Sequence, residues 1–394
     1  MRSISIFGAT GSIGESTFDL IRRAGGPEAF RTVALTGGRN IRRLAEMARD
    51  LRAELAVTAH EEELPALRAA LAGTGIEAAA GAQAIAEAAD RPADWVMSAI
   101  VGAAGLVPGL RALRHGRTLA LANKESLVTA GPLLMRTAAE QGARILPVDS
   151  EHSAVFQALT GEEIGAVERV IITASGGPFR DWTAERLAQV TLAQAVAHPN
   201  WSMGQRISID SASMFNKALE LIETREFFGF EPDQVEVLVH PQSLVHALVG
   251  FTDGALMAHL GAPDMRHAIG YALHWPARGE VPVARLDLAR IGQLTFQAPD
   301  AARFPALRVA RAVMQTRGLS GAAFNAAKET ALDAFIAGSL RFVDMAPVVE
   351  ATLDRLAGEC GFQNDVSALD DVLAMDHLAR IRAAELARLR PRME

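Results

Sequence analysis

Two carboxylates separated by one residue follow a short apolar segment and indicate a candidate metal site. Residues 145–148 predict a buried strand that runs directly into Asp149, Ser150 and Glu151. On an extended backbone, residues two apart point the same way, so Asp149 and Glu151 would share one side, with Ser150 opposite. Two hard oxygen ligands on one side suit Mg²⁺ or Mn²⁺. The alternative interpretation is a polar strand end that begins a solvated helix.

Three further polar residues share one face of a predicted helix. Residues 207–210 predict a short strand, and Ser211 is predicted to begin the helix. On this helix Asn216, Lys217 and Glu220 are three or four residues apart, so their side chains are neighbours. The face could supply phosphate or hydroxyl contacts and a third metal carboxylate. The spacing alone favours the alternative, a surface Lys–Glu pair that contributes only about 0.3 kcal/mol.

Two loops carry residue types that could hold a ligand. The turn SGGPF, residues 175–179, offers adjacent N–H groups and the Ser175 hydroxyl, which could cradle a phosphate. The segment 197–204 places Trp201 between turn-forming residues, as in a lid that covers a ligand and excludes water. The alternatives are an ordinary glycine turn, a core tryptophan and, for His198, a structural histidine.

A glycine turn near the N-terminus indicates dinucleotide binding. Residues 3–7 alternate as in a strand, GATGSIG occupies residues 8–14, and a helical pattern follows. Such glycines let the backbone turn tightly beside a pyrophosphate, whose charge is held by N–H groups at the helix start. The spacing is GxxGxxG rather than GxGxxG, so the dinucleotide-binding fingerprint is only partly met. The alternative is a structural turn between strand and helix.

Two basic residues after later strands refine this hypothesis. Arg39 stands where an NAD site usually has an acid for the ribose, and its guanidinium would complement the 2′-phosphate of NADP. An exposed arginine at a helix start is the alternative. Lys124 follows another predicted strand and could bind a carbonyl or hydroxyl oxygen, or else be a surface lysine.

The elements that must position these residues predict an α/β protein. Strands and helices alternate to about residue 150, which indicates an N-terminal Rossmann-like, doubly wound parallel sheet. Residues 41–89 are expected to be mostly amphipathic helix. A central α+β catalytic domain with antiparallel strands follows, residues 275–305 have the composition of a linker, and residues from 307 onward predict a C-terminal helical bundle.

The composition indicates an ordinary soluble protein of two or three domains. The chain has 394 residues, of which 49% are apolar and 22% charged. The net charge of -7 argues against nucleic-acid binding. A single cysteine, Cys360, excludes an internal disulfide and is typical of the cytoplasm. Neither a targeting leader nor a membrane span is predicted, since the longest weakly polar run is shorter than about 20 residues.

Eight segments, in order, resemble the 1-deoxy-D-xylulose 5-phosphate reductoisomerase family of the non-mevalonate isoprenoid pathway. They are GATGSIGEST, ALANKESLV, LPVDSEHSAVFQ, TASGGPF, HPNWSMG, ISIDSASMFNKALE, HPQSLVH and GAPDMR. The resemblance covers nearly the whole chain. It implies an NADPH-binding domain (1–149), a central catalytic, metal and substrate domain (150–278), a linker (279–305) and a C-terminal helical domain (306–394), assembled as a homodimer.

The resemblance also implies roles for individual residues. The metal ligands, for Mg²⁺ or Mn²⁺, become Asp149, Glu151 and Glu220, and the catalytic residues Lys124 and Glu151. The contacts of a small phosphorylated sugar become Lys124, Ser150, Glu151, Ser175, His198, Ser211, Asn216 and Lys217. The NADPH contacts become Thr10, Gly11, Ser12, Ile13, Gly38, Arg39, Asn40, Asn123, Glu125 and Gly204. Trp201 and Met203 become part of the lid.

The reaction implied is rearrangement of deoxyxylulose phosphate to an aldehyde, which NADPH then reduces to 2-C-methyl-D-erythritol 4-phosphate. The chain departs from the family pattern at Lys328, where Asn is more frequent, and at Arg39, where some members have Lys. Two rival functions remain at this point. One is a plain NADP-dependent dehydrogenase of a phosphorylated polyol, and the other is a nonenzymatic NADPH-sensing protein.

Overall fold

The computed structural model describes residues 1–201, 203–362, 366 and 368–390. These residues form two compact units, each built from several stretches of chain. The first unit contains Met1–Ser126, Leu134–Ser153 and Met265–Val283, and the second contains Leu127–Leu133, Ala154–Asp264 and Ala284–Glu394. The units are defined by packing, whereas the expected four-part division is by function, so that division stays a prediction. Its C-terminal limit at residue 394 lies outside the described residues.

A parallel seven-stranded sheet forms the centre of the first unit. Its strands are β1 (Arg2–Phe7), β2 (Phe30–Gly37), β3 (Leu55–Thr58), β4 (Glu77–Ala80), β5 (Trp95–Ser98), β6 (Thr118–Leu121) and β7 (Arg144–Pro147). The spatial order is β4-β3-β2-β1-β5-β6-β7, and every neighbouring pair is parallel. The direction of winding reverses between β1 and β5, where the carboxyl ends of the strands leave a crevice for a ligand. The predicted doubly wound sheet is confirmed.

Seven helices begin after or between these strands. They are α1 (Ser12–Arg23), α2 (Ile41–Asp50), α3 (Leu64–Ala70), α4 (Ala82–Ala89), α5 (Leu106–Leu113), α6 (Lys124–Gln141) and α7 (Ser150–Ala158). Helix α6 is kinked at Ala130, close to Pro132, because proline cannot donate the helical hydrogen bond. More than half of residues 41–89 are helical, as expected, but β3 and β4 also lie within them and were not predicted. Both strands have only four residues, too few for alternation to be distinguished from a helical pattern.

The second unit is built on a smaller, mixed sheet. Its strands are β8 (Val167–Ala174), β9 (Val235–Val239), β10 (Val245–Phe251) and β11 (Leu256–Leu260), in the order β11-β10-β8-β9. Strand β10 is antiparallel to β8 and β11, whereas β8 and β9 are parallel. The predicted antiparallel character is therefore confirmed for β10 and its neighbours, and β11 is an edge strand.

The remaining helices complete both units. They are α8 (Ala184–Leu187), α9 (Leu192–Ala195), α10 (Gln205–Ala212), α11 (Phe215–Phe228), α12 (Arg266–His274), α13 (Leu288–Ile291), α14 (Ala306–Thr316), α15 (Ser320–Ile336), α16 (Met345–Glu359) and α17 (Leu369–Arg388). Only α12 belongs to the first unit, where Trp95 donates a hydrogen bond to the carbonyl oxygen of Ala272 at 3.0 Å. The strand expected over residues 207–210 is wrong, because these residues lie inside α10.

A continuous apolar core joins the sheet and the helices of the second unit. Phe324 and Phe335 of α15 are fully buried in it, and Phe335 and Phe342 pack edge to face with ring centroids 5.8 Å apart. The predicted C-terminal helical region is thus confirmed for α14 to α17. None of the helices in the described residues is both long enough and apolar enough to cross a lipid bilayer.

Candidate active site

Asp149 and Glu151 lie together at the carboxyl end of β7. Strand β7 ends at Pro147, and α7 begins at Ser150, so Asp149 precedes the helix and Glu151 lies in its first turn. The extended backbone assumed for these residues is therefore wrong. Nevertheless, a carboxylate oxygen of Asp149 and one of Glu151 lie within 4.8 Å of each other, and Asp149 is buried. A buried pair of hard oxygen ligands fits a divalent ion, which also offsets the cost of burying negative charge.

Lys124 reaches the same place from the neighbouring strand. It is the first residue of α6, directly after β6, and β6 pairs with β7 in parallel register. Its ammonium group forms a buried ion pair with Asp149. His152 was missed by the sequence reasoning, although it lies one helical turn after Asp149, with Nδ1 4.0 Å from the Asp149 carboxylate. The surface-lysine interpretation of Lys124 is wrong.

Ser150 and Asn123 hold these acids and the surrounding loops in place. The Ser150 hydroxyl donates to Glu151 Oε2 at 2.5 Å. Asn123 caps α6 by accepting the N–H of Ser126 at 2.9 Å, and its amide donates to Glu125 at 2.9 Å. The same amide donates to two loop carbonyl groups. Asn123 is buried, so its role in this structure is to fix the start of α6.

The glycine turn after β1 has the geometry that its sequence predicts. Gly8 has φ +88°, and a Cβ there would lie 2.4 Å from the carbonyl oxygen of Ala99. A Cβ on Gly14 would lie 2.3 Å from the carbonyl oxygen of Gly8. Only glycine fits these two close approaches. Thr10 to Ile13 consequently lie at the start of α1, where Gly11 and Ser12 are exposed and the helix presents N–H groups to an anion.

The residues expected to contact the adenosine part of NADPH follow β2. Gly38, Arg39 and Asn40 lie between β2 and α2, and the Asn40 side chain caps α2 by accepting the N–H of Arg43 at 3.2 Å. The exposed guanidinium of Arg39 forms an ion pair with Glu62 at 2.8 Å. An exposed ion pair of this kind contributes at most about 1 kcal/mol, so Arg39 remains available to a phosphate.

A cluster of polar residues in the second unit surrounds the glycine turn after β8. Gly177 has φ +65°, and a Cβ there would lie 3.0 Å from the Ala212 Cα and from the Ser211 carbonyl oxygen. The turn therefore packs directly against the end of α10. The Ser175 hydroxyl oxygen accepts the N–H of Gly177 at 3.1 Å. This packing brings Ser175 and Ser211, two of the expected phosphate contacts, into one neighbourhood.

His198 links this turn to the expected lid. Its Nδ1 lies 3.2 Å from the backbone nitrogen of Asn200 and 3.0 Å from that of Trp201, so Nδ1 accepts both N–H groups. The proton must then reside on Nε2, which donates to the Ser175 hydroxyl oxygen at 3.0 Å. Burial lowers the pKa of His198 to about 4. A neutral imidazole in this tautomer leaves the Ser175 hydroxyl with two incoming donors, so its own hydrogen is directed elsewhere.

The segment that contains Trp201, Met203 and Gly204 is held at its first half. The Asn200 side chain donates to the carbonyl oxygen of Pro241 at 2.6 Å and to the Ser243 hydroxyl at 2.9 Å. Sequence reasoning missed Asn200, because both partners are more than 40 residues away. Trp201 is half-buried, with its ring 6.3 Å from that of His246, and Gly204 is exposed. The core-tryptophan interpretation of Trp201 is therefore wrong.

Asn216, Lys217 and Glu220 form a buried group on α11. The side chains of Lys217 and Glu220 are 3% and 0% exposed and form an ion pair. The Asn216 amide donates to Glu220 Oε1 at 2.6 Å. The surface-pair interpretation is wrong, since buried charges are retained only when they are paired or serve a ligand. The face therefore combines a carboxylate with two donors suited to an anionic group.

Family models match most of the chain. The 1-deoxy-D-xylulose 5-phosphate reductoisomerase model matches residues 4–131, and the model of that enzyme's C-terminal domain matches residues 145–228. A further model, the DXP reductoisomerase C-terminal domain, matches residues 260–382.

Proteins and solved structures agree with these models. The chain is 78% identical over 390 residues to the 1-deoxy-D-xylulose 5-phosphate reductoisomerase of Cereibacter sphaeroides, covering 99% of both chains. It is 69% identical to that of Ruegeria pomeroyi, over 97% of this chain and 96% of the relative. The structure of the Zymomonas mobilis enzyme in complex with NADPH is 47% identical, with a TM-score of 0.90 over 98% of this chain and 99% of that one. A DOX-P reductoisomerase solved with NADPH, fosmidomycin and magnesium is 38% identical, with a TM-score of 0.92 over 99% of each chain. The chain therefore belongs to the 1-deoxy-D-xylulose 5-phosphate reductoisomerase family.

Proposed function

We propose that the protein converts 1-deoxy-D-xylulose 5-phosphate to 2-C-methyl-D-erythritol 4-phosphate by rearrangement and NADPH-dependent reduction, with a divalent metal ion. The reaction belongs to non-mevalonate isoprenoid precursor biosynthesis. The observation that carries the proposal is the 78% sequence identity to a reductoisomerase, over 99% of both chains. The enzyme is an oxidoreductase that couples isomerisation to reduction, and its substrate is a small phosphorylated sugar.

The residues for NADPH and the metal ion are assigned by resemblance and have the required chemistry. Solved relatives contain NADPH and magnesium. Here the dinucleotide is assigned to the glycine turn, to Gly38, Arg39 and Asn40, and to Asn123, Glu125 and Gly204. The metal ion, Mg²⁺ or Mn²⁺, is assigned to Asp149, Glu151 and Glu220, whose carboxylates are the ligands such ions prefer. When bound, NADPH supplies reducing power and the ion supplies positive charge for substrate oxygens.

Lys124 and Glu151 are assigned the catalytic roles. Rearrangement requires loss of a proton from a substrate hydroxyl and builds negative charge on oxygen. The ammonium group of Lys124, which Asp149 holds in place, can stabilise that charge or donate a proton to it. The Ser150 hydroxyl orients the Glu151 carboxylate. Lys124 and Glu151 are thus assigned to the part of the sugar that reacts, and Ser150 is assigned to contact the same substrate.

The phosphate of the substrate is assigned to Ser175, His198, Ser211, Asn216 and Lys217. The tautomer of His198 leaves the Ser175 hydroxyl as a donor, and Asn216 and Lys217 provide further donors. Binding a remote phosphate supplies energy for orientation and for closure of the lid that contains Trp201 and Met203. The lid excludes water while the aldehyde is reduced.

A homodimer and a cytoplasmic location complete the proposal. Strand β11 lies at the edge of its sheet, with Leu256, Met257 and Leu260 exposed. An exposed apolar edge strand is a template for pairing with another chain. A second copy that presents the same strand would bury it through an isologous interface. The division into NADPH-binding (1–149), catalytic (150–278), linker (279–305) and helical (306–394) regions is retained as a functional assignment.

The reaction is tested by following NADPH absorbance when the purified protein meets 1-deoxy-D-xylulose 5-phosphate. NADPH should be oxidised with Mg²⁺ or Mn²⁺ present, oxidation should stop after chelation, and methylerythritol phosphate should accumulate. A protein that binds NADPH but oxidises none under any metal condition would contradict the proposed activity and leave only cofactor binding.

A further inference from the structure

Lys328 is a charged residue almost completely inside the second unit. It lies on α15 with 1% of its side chain exposed, and its Nζ is 3.0 Å from Oδ2 of Asp210 on α10, which is 7% exposed. The other oxygen, Asp210 Oδ1, is buried and has no hydrogen-bond partner within the described part of the chain. A buried carboxylate of this kind depends on its cation, since loss of either partner leaves an uncompensated charge.

The position of Asp210 connects this ion pair to the phosphate residues. Asp210 directly precedes Ser211, and the end of α10 supports the glycine turn, because a Cβ on Gly177 would lie 3.0 Å from the Ser211 carbonyl oxygen and from the Ala212 Cα. That turn carries Ser175. A displacement of α10 would therefore move Ser211 and Ser175 together. An unneutralised Asp210 would also place a negative charge beside residues assigned to a phosphate, which it would repel.

A second ion pair joins the same two helices but is exposed. Arg206 of α10 pairs with Asp333 of α15, and their side chains are 37% and 59% exposed. Solvent screens such a pair, which contributes little to the packing of the helices. Arg206 also interacts electrostatically with Asp210, to which it makes no direct ion pair. We expect the buried pair to have the larger effect on α10, and Arg206→Met measures the contribution of the exposed cation.

We propose that Lys328 is a positioning residue for the phosphate part of the site, acting through Asp210 on Ser211 and Ser175. The inference rests on the proposed function and assigns a role to a residue at which this chain departs from the pattern of the family it resembles. Lys328 touches neither substrate nor cofactor in this role. It neutralises Asp210 and holds α10 against α15, so its loss affects binding of the phosphorylated substrate more than the chemical step.

A double-mutant cycle with Lys328→Met and Asp210→Asn tests the proposal. Lys328→Met keeps the length of the side chain but removes the charge. We expect it to raise the KM for deoxyxylulose phosphate about tenfold, while kcat and the KM for NADPH change less than about twofold. The double variant buries no unpaired charge, so it should fold and bring the substrate KM back to within about threefold of wild type. Arg206→Met should change that KM less than about twofold.

Several results would overturn the proposal. They are an unchanged substrate KM in Lys328→Met, an equal rise in the KM for NADPH, or a double variant as impaired as Lys328→Met. If Lys328→Met does not fold, the double variant decides, since a substrate KM more than about tenfold above wild type would contradict the proposal. Absence of turnover in the wild-type protein would contradict the proposed function as well. Wild-type turnover with unaffected variants would contradict only the role of Lys328.

Discussion

Two of the three acids assigned to the metal ion are paired with a lysine of their own unit. Asp149 pairs with Lys124, and Glu220 pairs with Lys217. Burial makes these contacts close to obligatory, because an isolated buried carboxylate would be strongly destabilised. Under the proposed function, a divalent ion would take over part of the charge compensation of these acids, and the ammonium groups could then interact with substrate oxygens. The same residues can thus keep the free protein stable and bind an anionic substrate.

We expect Glu220→Gln to abolish turnover, lowering kcat/KM by about a thousandfold or more, while NADPH binding stays nearly intact. The amide keeps the volume of the side chain but is a poor metal ligand. Fluorescence titration with NADPH and a metal-dependent rate measurement check the two effects separately.

Glu226→Gln is the matched control for this prediction. Glu226 lies on the same helix, α11, and burial raises the pKa of its carboxyl group. Because it has no assigned role in the site, its substitution should change the rate less than about twofold. Equal loss of NADPH binding and turnover in Glu220→Gln would contradict the assignment of Glu220 to the metal ion.

The two nitrogen atoms of His198 can be tested separately. In His198→Asn the amide oxygen can replace Nδ1 as acceptor for Asn200 and Trp201, whereas in His198→Gln the amide nitrogen can replace Nε2 as donor to Ser175. We expect the Asn variant to raise the substrate KM about tenfold with an unchanged lid, and the Gln variant to free the lid with a smaller change in KM. Steady-state kinetics and chymotrypsin cleavage after Trp201 measure these effects, and identical behaviour of the two variants would refute the assigned tautomer.

Burial of His198 also predicts how stability depends on pH. Its pKa is lowered from 6.5 to about 4, so the unfolded chain binds a proton between these values that the folded protein does not. The corresponding stabilisation is present above pH 6.5 and is lost as pH falls toward 4. In His198→Asn, the free energy of unfolding should therefore fall less steeply over this window. Urea denaturation at several pH values measures the difference, and parallel pH curves would contradict the assigned burial effect.

At the scale of elements, α10 determines where two loops meet. It follows the lid segment directly, it ends beside the glycine turn after β8, and it is joined to α15 by two ion pairs. A short helix with these contacts transmits any displacement to both loops. Under the proposed function, the position of this eight-residue helix therefore affects substrate binding through both loops.

Gly177→Ala tests the contact between the turn and α10. The added Cβ would lie 3.0 Å from Ala212 Cα, so the end of the helix must shift, and we expect the substrate KM to rise about threefold or more. Gly142→Ala is the control, because Gly142 has a similar φ of +64° and open space around its Cβ position. Both variants should lose about 1 kcal/mol of stability through backbone strain, measured by denaturation. A substrate KM raised equally in both would show that the contact with α10 has no effect on binding.

At the scale of the whole molecule, the edge strand β11 is the feature proposed to form the dimer. It exposes a row of apolar side chains on an element that already pairs with β10 on its other side. A monomer would leave both this apolar surface and the unpaired backbone groups of the edge in contact with water.

Met257→Lys should shift the protein from dimer to monomer by placing a charge on the proposed interface, because interfaces exclude unpaired charges from their centre. Leu373→Lys is the control, since Leu373 on α17 is 43% exposed and Met257 41%. Light scattering coupled to size-exclusion chromatography measures the mass of each variant. A wild-type protein that elutes as a monomer, or a Met257→Lys variant that remains dimeric, would contradict this interface.

The family and most of the alternating strands and helices of the first unit could be predicted from the amino-acid sequence, although β3 and β4 could not. Glycines at residues 8 and 14 predict the turn after β1 because side chains cannot fit there. Such a steric requirement can be recognised from the spacing of glycines within a short segment. Lys124 follows β6 and Asp149 follows β7, and the two residues meet because adjacent parallel strands end at the same edge of a sheet.

Which of these residues are buried, and which partners they have, depends on how the folded chain packs. Spacing favoured a surface pair for Lys217 and Glu220, whereas packing in the second unit excludes water from both. Four-residue segments such as β3 and residues 207–210 are too short for the periodicity of their apolar residues to distinguish a strand from a helix. His198, Asn200 and Lys328 each contact a residue that is distant in the chain. Patterns among neighbouring residues cannot predict such contacts. Burial and long-range contact are properties of the packed core, which is why they appear only when the chain is folded.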